Sequence, residues 1–187
     1  MNSYTIPAPG PGQETIFTNA DWNAHGNPPI LILEEGWIAI GEDAFANGIQ
    51  LLMIRIPASV LAIISYAFSG AINLDLVAFA EGSRLEIIGT QAFHNTQSLK
   101  RIRIPASVIN ITSAFEGATG LEKVIFEEGS RLEIIGNNAF YGANSLQTIQ
   151  IPASVTTIRN MAFRAAIKLV KVDFDNLSDC ILSLHLE

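Results

Sequence analysis

The sequence predicts a solenoid in which each of several short repeats contributes one strand to a parallel β-sheet. The string IPASV occurs three times and EGSRLEIIG twice, so the repeating unit is a doublet of about 47 residues. Because such repeats bury their apolar faces only against each other, they form an elongated array with a long surface instead of a pocket. An Ala-Phe pair recurs six times at intervals of 22 to 25 residues, ending at Phe45, Phe68, Phe93, Phe115, Phe140 and Phe163.

Residues 1–29 differ in composition from the rest of the chain. Five of the eight prolines lie here, and the other three belong to the IPASV strings. The Pro/Gly-rich start is expected to be extended or disordered. Since an open array needs a cap, we expect Ile16, Phe17 and Trp22 to fold over the first repeat and form an N-terminal cap.

Residues 30–174 hold the six leucine-containing repeats, and each repeat carries a strand signal. The pattern Leu-x-x-Ile-x-Ile, or a conservative variant of it, places apolar residues at alternating positions. Proline follows the strand at Pro57, Pro105 and Pro152, where it removes a backbone donor, so strand pairing should stop there. The six copies begin at Leu51, Leu74, Leu99, Leu121, Leu146 and Leu169.

Two further pieces complete each repeat. A Val-x-x-Ile pair, which is Val60 and Ile63 in its first occurrence, predicts a second inward-facing bend. The Ala-Phe pair and the small residue three positions after it predict a single helical or 3₁₀ turn.

The pattern changes after Phe174. The Ala-Phe pair is missing from this point on, although apolar residues continue. The last repeat has no following neighbour, so we expect residues 175–187 to form a C-terminal cap over it.

With strand, proline turn and Ala-Phe pair in this order, the chain resembles the BspA-type leucine-rich repeat proteins, whose repeat runs approximately IxxxAFxxCxxLxxIxIPxxV. The resemblance covers residues 30–174. It implies an α/β-type leucine-rich repeat solenoid, curved and right-handed, with a parallel β-sheet of about six short strands on the concave face. Turns and short helical or 3₁₀ segments would form the convex side. The family's cysteine is replaced by small residues at Gly48, Ala71, Thr96, Ala118, Ala143 and Ala166.

The bulk composition limits the possible classes of protein. At 187 residues and 49% apolar content, the chain fits one domain with a continuous core. Its apolar runs are far shorter than the roughly 18 residues of a membrane span, so no membrane insertion is expected. The N-terminal MNSYTIPAPGPGQ lacks the basic and apolar regions of a secretory signal peptide. The resemblance implies a secreted or cell-surface location, and a cytoplasmic location is the alternative.

The sequence carries no recognisable catalytic, cofactor or metal motif, so we expect neither an enzyme nor a cofactor. The three histidines stand in unrelated contexts, without HExxH or paired Cys/His spacing. The single cysteine, Cys180, excludes an intramolecular disulfide and a thiolate zinc cluster. Ser59, Ser107 and Ser154 share one position of the IPASV string, which a turn hydrogen bond explains better than a nucleophilic role.

Charge is distributed unevenly over the predicted strands. The outward positions, 18 in all, are the two after each Leu and the one between the paired Ile residues. They hold six basic and three acidic residues, which leaves five basic and 15 acidic residues elsewhere. Apolar and cationic residues together are typical of protein-binding hot spots. The predicted partner-binding residues are Met53, Arg55, Leu76, Lys100, Arg101, Arg103, Lys123 and Ile125.

These patterns and the resemblance favour a non-enzymatic protein–protein interaction module, similar to bacterial or protozoan surface and virulence-associated proteins that bind host or partner proteins. The concave strand face would bind an acidic patch on another protein. An anionic glycan-binding module and a structural spacer or assembly domain stay open as alternatives. Nucleic acid is not expected, because the net charge is −7 and the strand positions carry no aromatic residue for base stacking. A monomer is favoured over an oligomer.

Overall fold

A computed structural model describes residues 3–10, residues 15–175 and the backbone of residues 181–182. The chain is a parallel-strand solenoid of about seven turns with little helix, of the leucine-rich repeat type. The elements in chain order are β1 (Tyr4–Ile6), β2 (Ile16–Phe17), α1 (Asn19–Ala24), β3 (Ile30–Leu33), β4 (Ala39–Ile40), β5 (Met53–Ile56), β6 (Ala62–Ile63), β7 (Leu76–Phe79), β8 (Ile87–Ile88), β9 (Arg101–Ile104), β10 (Asn110–Ile111), β11 (Lys123–Phe126), β12 (Ile134–Ile135), β13 (Thr148–Ile151), β14 (Thr157–Ile158), β15 (Lys171–Phe174) and β16 (Ile181–Leu182).

The odd-numbered strands form the first wall of the solenoid. The described residues contain seven strands of four residues in this wall, preceded by the three-residue β1. The sequence pattern predicted about six, because Pro28 occupies the position of the first Leu before β3 and hides that copy. All pairs among the described strands are parallel. The inward side chains Ile54 and Ile56 of β5 are fully buried, whereas Phe79, Phe126, Val172 and Phe174 at inward positions are partly buried and pack against the core.

Prolines interrupt the hydrogen-bond ladder of this wall at the boundaries between doublets. Within a doublet the ladder continues past the strand, as where the Ala80 N–H donates to the Ile56 carbonyl over 2.9 Å. Pro57, Pro105 and Pro152 stand at the equivalent position of the next coil and have no N–H to donate. Accordingly β3 and β5 share only three register pairs, and no ladder joins β7 to β9 or β11 to β13. The prediction that proline ends strand pairing is confirmed for the pairing of each proline-containing coil with the coil before it in the sequence.

The even-numbered strands form a second wall that the sequence did not predict. Eight strands of two residues each, among them the backbone of β16, pair in parallel into one sheet along the solenoid. We expected the Val-x-x-Ile pair to form only an inward-facing bend. Its isoleucine, such as Ile63 or Ile111, is buried as expected but belongs to a paired strand. A strand of two residues is too short to leave a periodic signal in the sequence.

The Ala-Phe pairs form turns, which corrects the expected single helical or 3₁₀ turn. In each repeat the residues two before and two after the phenylalanine have positive φ, for example Tyr66 at 61° and Gly70 at 70°. The Phe68 N–H donates to the Ala92 carbonyl of the next coil over 2.8 Å instead of to its own turn. This pattern recurs along the solenoid, so the pairs create a third strip of hydrogen bonds between coils. The only helix in the described part of the chain is α1.

The phenylalanine rings stack into a column through the centre of the solenoid. From Phe45 to Phe163, successive ring centroids lie 4.9 to 5.5 Å apart, with interplanar angles of 10° or less. The central rings are fully buried. Each ring therefore contacts the coil before it and the coil after it, and the column joins all six repeats into one core.

Residues 15–29 extend this column at its N-terminal end. Phe17 stacks on Phe45 at 5.2 Å, and Trp22 of α1 meets the same ring edge-on at 5.2 Å. Both side chains are buried, whereas Ile16, which we expected to help shield the first repeat, is 41% exposed. A Cβ on Gly48 would lie 2.7 Å from the Trp22 ring, which explains glycine where other repeats have alanine or threonine.

Helix α1 begins with a capping box. The Thr18 hydroxyl accepts a hydrogen bond from the Asp21 N–H, and the Asp21 carboxylate accepts one from the Thr18 N–H over 2.7 Å.

At the other end of the chain, the predicted C-terminal cap lies outside the described residues, apart from Asp175 and the backbone of β16.

One carboxylate ties the first doublet to its neighbouring coil. Glu35 accepts hydrogen bonds from the backbone N–H groups of Ala58 and Ser59 over 2.9 and 2.8 Å. The hydrogen bond from Ala58 is the main cause that holds the pKa of Glu35 below its usual value. Desolvation by burial is the next largest effect and opposes it, while the hydrogen bonds of Ser59 and the charge of Arg84 lower the pKa further. The folded state therefore favours the ionised carboxylate.

Replacing Phe93 with alanine should lower the free energy of unfolding by about 3 to 5 kcal/mol, because a fully stacked ring is lost from the core. The same change at Phe163 should cost less, since among the described residues its ring stacks on one neighbour only. Denaturant unfolding of both variants measures the difference. A loss below about 1 kcal/mol for Phe93→Ala would contradict a stabilising role of the ring column.

The contact of Glu35 predicts a pH-dependent contribution to stability. Its folded-state pKa is lowered, so the contribution is complete above the ordinary carboxyl value of about 4.3 and is lost as the pH falls through the lower folded value. Glu35→Gln should therefore destabilise the protein at neutral pH and have little effect at about pH 3. Glu81→Gln is the matched control, because this exposed residue at the equivalent position accepts no hydrogen bond from the described residues. A Glu35→Gln effect equal at both pH values would rule the contribution out.

Candidate functional site

Two of the histidines, and two of the serines in the IPASV strings, make local contacts in the described part of the chain. His94 Nδ1 lies 3.3 Å from the Ser69 hydroxyl, and His25 Nδ1 contacts the backbone carbonyl of Asp21 at 2.7 Å. Neither histidine is part of a group of three or more potential metal ligands within the described ranges. The hydroxyls of Ser59 and Ser107 donate to backbone carbonyls over 2.7 Å, as expected for turns, whereas the buried Ser154 hydroxyl has no hydrogen-bond partner among the described residues.

The outward side chains of the odd-numbered strands form two parallel columns, which we call the strand face. Each strand contributes its first and third residue, while its second and fourth residues point into the core. Register pairs align the columns from β3 to β7, from β9 to β11 and from β13 to β15, and the columns continue across the two remaining proline boundaries by repeat position. The first column, from β3 to β15, is Ile30, Met53, Leu76, Arg101, Lys123, Thr148 and Lys171. The second column is Ile32, Arg55, Ala78, Arg103, Ile125, Gln150 and Asp173.

Seven of the eight predicted partner-binding residues lie in these columns. Arg55, Arg101, Arg103 and Lys123 are exposed, Leu76 is 43% exposed, and Met53 and Ile125 are half-buried. Lys100 is exposed too, but it precedes β9 and stands beside the columns rather than in them.

Register places like charges side by side at the centre of the strand face. Arg101 is the direct cross-strand partner of Lys123, and Arg103 is the partner of Ile125. The only ion pair within the described residues is Lys171 to Asp173, at 2.9 Å on β15. The basic side chains at the centre are thus repelled by each other and have no acidic partner in the described part of the chain.

The sequence missed one part of this surface. Ile30 and Ile32 of β3 are half-buried and continue the columns beyond Met53 and Arg55. The alternating ILIL string was the signal that could have revealed them. With these residues the strand face divides into an apolar end at β3 to β7, a basic centre at β9 and β11, and a polar end at β13 and β15.

Shallow clefts lie beside the strand face where the proline boundaries interrupt the ladder. One, of about 390 Å³, lies between β11 and β13 and is lined by Phe126, Glu127, Pro152 and other residues. Another, of about 440 Å³, lies beside β3 and β5. Both clefts contain glutamates: Glu127 and Glu128 border the basic centre at β11, and Glu34 and Glu35 lie near Arg55 at the apolar end.

The fold and this open surface define an interaction-type repeat protein, and leucine-rich repeat folds are generally non-enzymatic. The chain belongs to the BspA type leucine rich repeat family, whose repeat matches residues 38–170 in six copies. In the described residues, no helix is sufficiently long and apolar to span a membrane.

Solved structures of leucine-rich repeat proteins support the fold. A T. pallidum leucine rich repeat protein is 23% identical with a TM-score of 0.66, and the match covers 79% of this chain and 71% of that one. The pneumococcal vaccine antigen PcpA is 25% identical with a TM-score of 0.54, over 79% of this chain and 35% of that one. A leucine rich cell surface protein from Faecalibacterium prausnitzii A2-165 is 25% identical with a TM-score of 0.53, over 78% and 45%. A search of curated proteins gives no significant match.

Charge reversal at the centre of the strand face should leave the fold intact. In Arg101→Glu/Arg103→Glu, both new side chains point outward, and the glutamate at 101 faces Lys123. We expect the free energy of unfolding to change by no more than about 0.5 kcal/mol, because neither arginine has a partner to lose in the described residues. Denaturant unfolding checks this. A loss well above that value would mean that the arginines support the fold.

Proposed function

We propose that this chain is a non-enzymatic module that binds another protein, through an acidic patch on that partner, with the strand face as its binding surface. The observation that carries the proposal is the group of four outward cations, Arg55, Arg101, Arg103 and Lys123, which have no acidic partner in the described part of the chain. A partner that supplied carboxylates would relieve their mutual repulsion.

The composition of the surface favours a protein over a simpler polyanion. Leu76 is 43% exposed and lies directly beside Met53, and Ile125 lies beside Arg103. Arginine next to apolar side chains is typical of the buried centre of protein interfaces, where most binding energy is concentrated. A glycan chain would leave these apolar side chains without matching contacts.

Known family members guide the expected location. BspA-type leucine-rich repeat proteins are often secreted or at the cell surface, and one structural neighbour is a leucine rich cell surface protein. We propose that this chain acts in the same setting, as a monomer that recognises a host or partner protein.

The test compares capture of partner proteins by the wild type, by Arg101→Glu/Arg103→Glu and by Arg159→Glu/Arg164→Glu. The last variant is the matched control, because its arginines are exposed too but lie in and beside an Ala-Phe turn, away from the strand face. It changes the net charge by the same amount. We expect the strand-face variant to lose affinity at least about tenfold and the control to keep it.

Two other results would replace the proposal. Equal affinity of the strand-face variant and wild type for every captured protein would favour the structural spacer, and a self-association that grows with concentration would favour the assembly domain. Binding to heparin that disappears between low and physiological salt, with no captured protein, would favour the anionic glycan. A protein partner anchored also on Leu76 and Met53 should keep much of its affinity at physiological salt.

A further inference from the structure

The strand face changes character along the solenoid axis rather than across it. In the first column, Ile30, Met53 and Leu76 follow one another on adjacent strands. The next two positions of that column are Arg101 and Lys123. A partner that follows the axis therefore meets three apolar positions and then two cationic ones.

The distance between coils determines whether a helix or an extended strand of the partner can place one side chain on each coil. Successive coils are 4.9 to 5.5 Å apart at the phenylalanine column, and adjacent strands in sheets are about 4.8 Å apart. Residues at i, i+4, i+7 and i+11 on one face of an α-helix advance by about 5.3 Å per step. Residues on one face of an extended strand advance by about 6.7 Å per step.

This difference accumulates along the surface. From β3 to β11, a helical stripe stays within about 2 Å of the coil positions, so each of its side chains meets one coil. An extended strand drifts by roughly 6 to 8 Å over the same distance, which exceeds one coil. The two columns stand about 7 Å apart across each strand, so one helix about 10 Å wide covers both.

We propose, building on the function proposed above, that the partner element is an amphipathic α-helix lying along the solenoid axis on the strand face. Its contacting stripe is apolar over β3, β5 and β7 and acidic over β9 and β11. The helix C-terminus lies over Arg101, Arg103 and Lys123, because the negative end of the helix dipole is favoured beside cations. Leu76 contacts the last apolar side chain before the acidic ones.

A synthetic probe tests the inference directly. It is a fluorescent peptide of about 20 residues with leucine at the heptad a and d positions of its N-terminal half and glutamate at the same positions of its C-terminal half. Alanine and glutamine fill the other positions. Fluorescence anisotropy with the full chain measures affinity, and far-ultraviolet circular dichroism measures the helix gained on binding.

Two control peptides and three protein variants separate the parts of the inference. A peptide of equal composition has its leucines and glutamates dispersed around the helix, and another keeps the stripe but carries two prolines at outward positions that prevent a helix. On the protein side, Arg101→Glu/Arg103→Glu is compared with Arg159→Glu/Arg164→Glu, and Leu76→Gln tests the apolar end.

We expect the striped peptide to bind and become helical, and both control peptides to bind at least about tenfold more weakly. Arg101→Glu/Arg103→Glu and Leu76→Gln should each weaken binding of the striped peptide, and Arg159→Glu/Arg164→Glu should not. Equal binding of the proline and striped peptides would overturn the helical partner, as would no advantage of the striped over the dispersed peptide. Either result would overturn only the helical partner. Whether the strand face binds proteins at all is tested separately, by the capture of partner proteins.

Discussion

The structure depends on one constraint, which is that every coil must place a phenylalanine ring on the ring of the coil before it. The rings stack 4.9 to 5.5 Å apart from Phe45 to Phe163, a distance close to the natural spacing of parallel strands. Because ring and strand spacings agree, backbone hydrogen bonds can join the coils on all three sides of the column. The wall of odd-numbered strands, the sheet of even-numbered strands and the strip at the Ala-Phe turns are these three sides.

The same constraint explains the unusual backbone at the turns. Donating the Phe68 N–H to the next coil rather than to its own turn requires left-handed residues on both sides of the ring. Tyr66 and Met161 adopt that conformation although it costs a residue with a side chain roughly 1 to 2 kcal/mol. Glycine or asparagine takes this role at many of the equivalent positions, as at Gly70 and Asn95. The hydrogen bond between coils and the buried ring offset the local strain.

Stacking also leaves the strand face free to vary. Inward positions of the odd-numbered strands must remain apolar in every coil, whereas the two outward columns carry no such requirement. In this chain they change from Ile30, Met53 and Leu76 to Arg101 and Lys123 within five strands. Like charges placed side by side weaken a sheet slightly, so their presence at the centre is more easily explained by a partner than by folding. The acidic excess elsewhere would orient such a partner toward this face.

The sequence by itself determined the repeat, the strand positions, the buried phenylalanines and the boundaries at Pro57, Pro105 and Pro152. These features are local, since an apolar period or a missing N–H is visible within a few residues. Only the tertiary structure decided that the bends pair into a second sheet, that the Ala-Phe pairs are turns and that Arg101 faces Lys123. Each of these depends on a hydrogen bond or a register between coils about 23 residues apart. Contacts at that separation leave no pattern in either segment alone. Hydrogen bonds and register between coils are set by the distance at which the coils stack, and not by residues that are neighbours in the sequence.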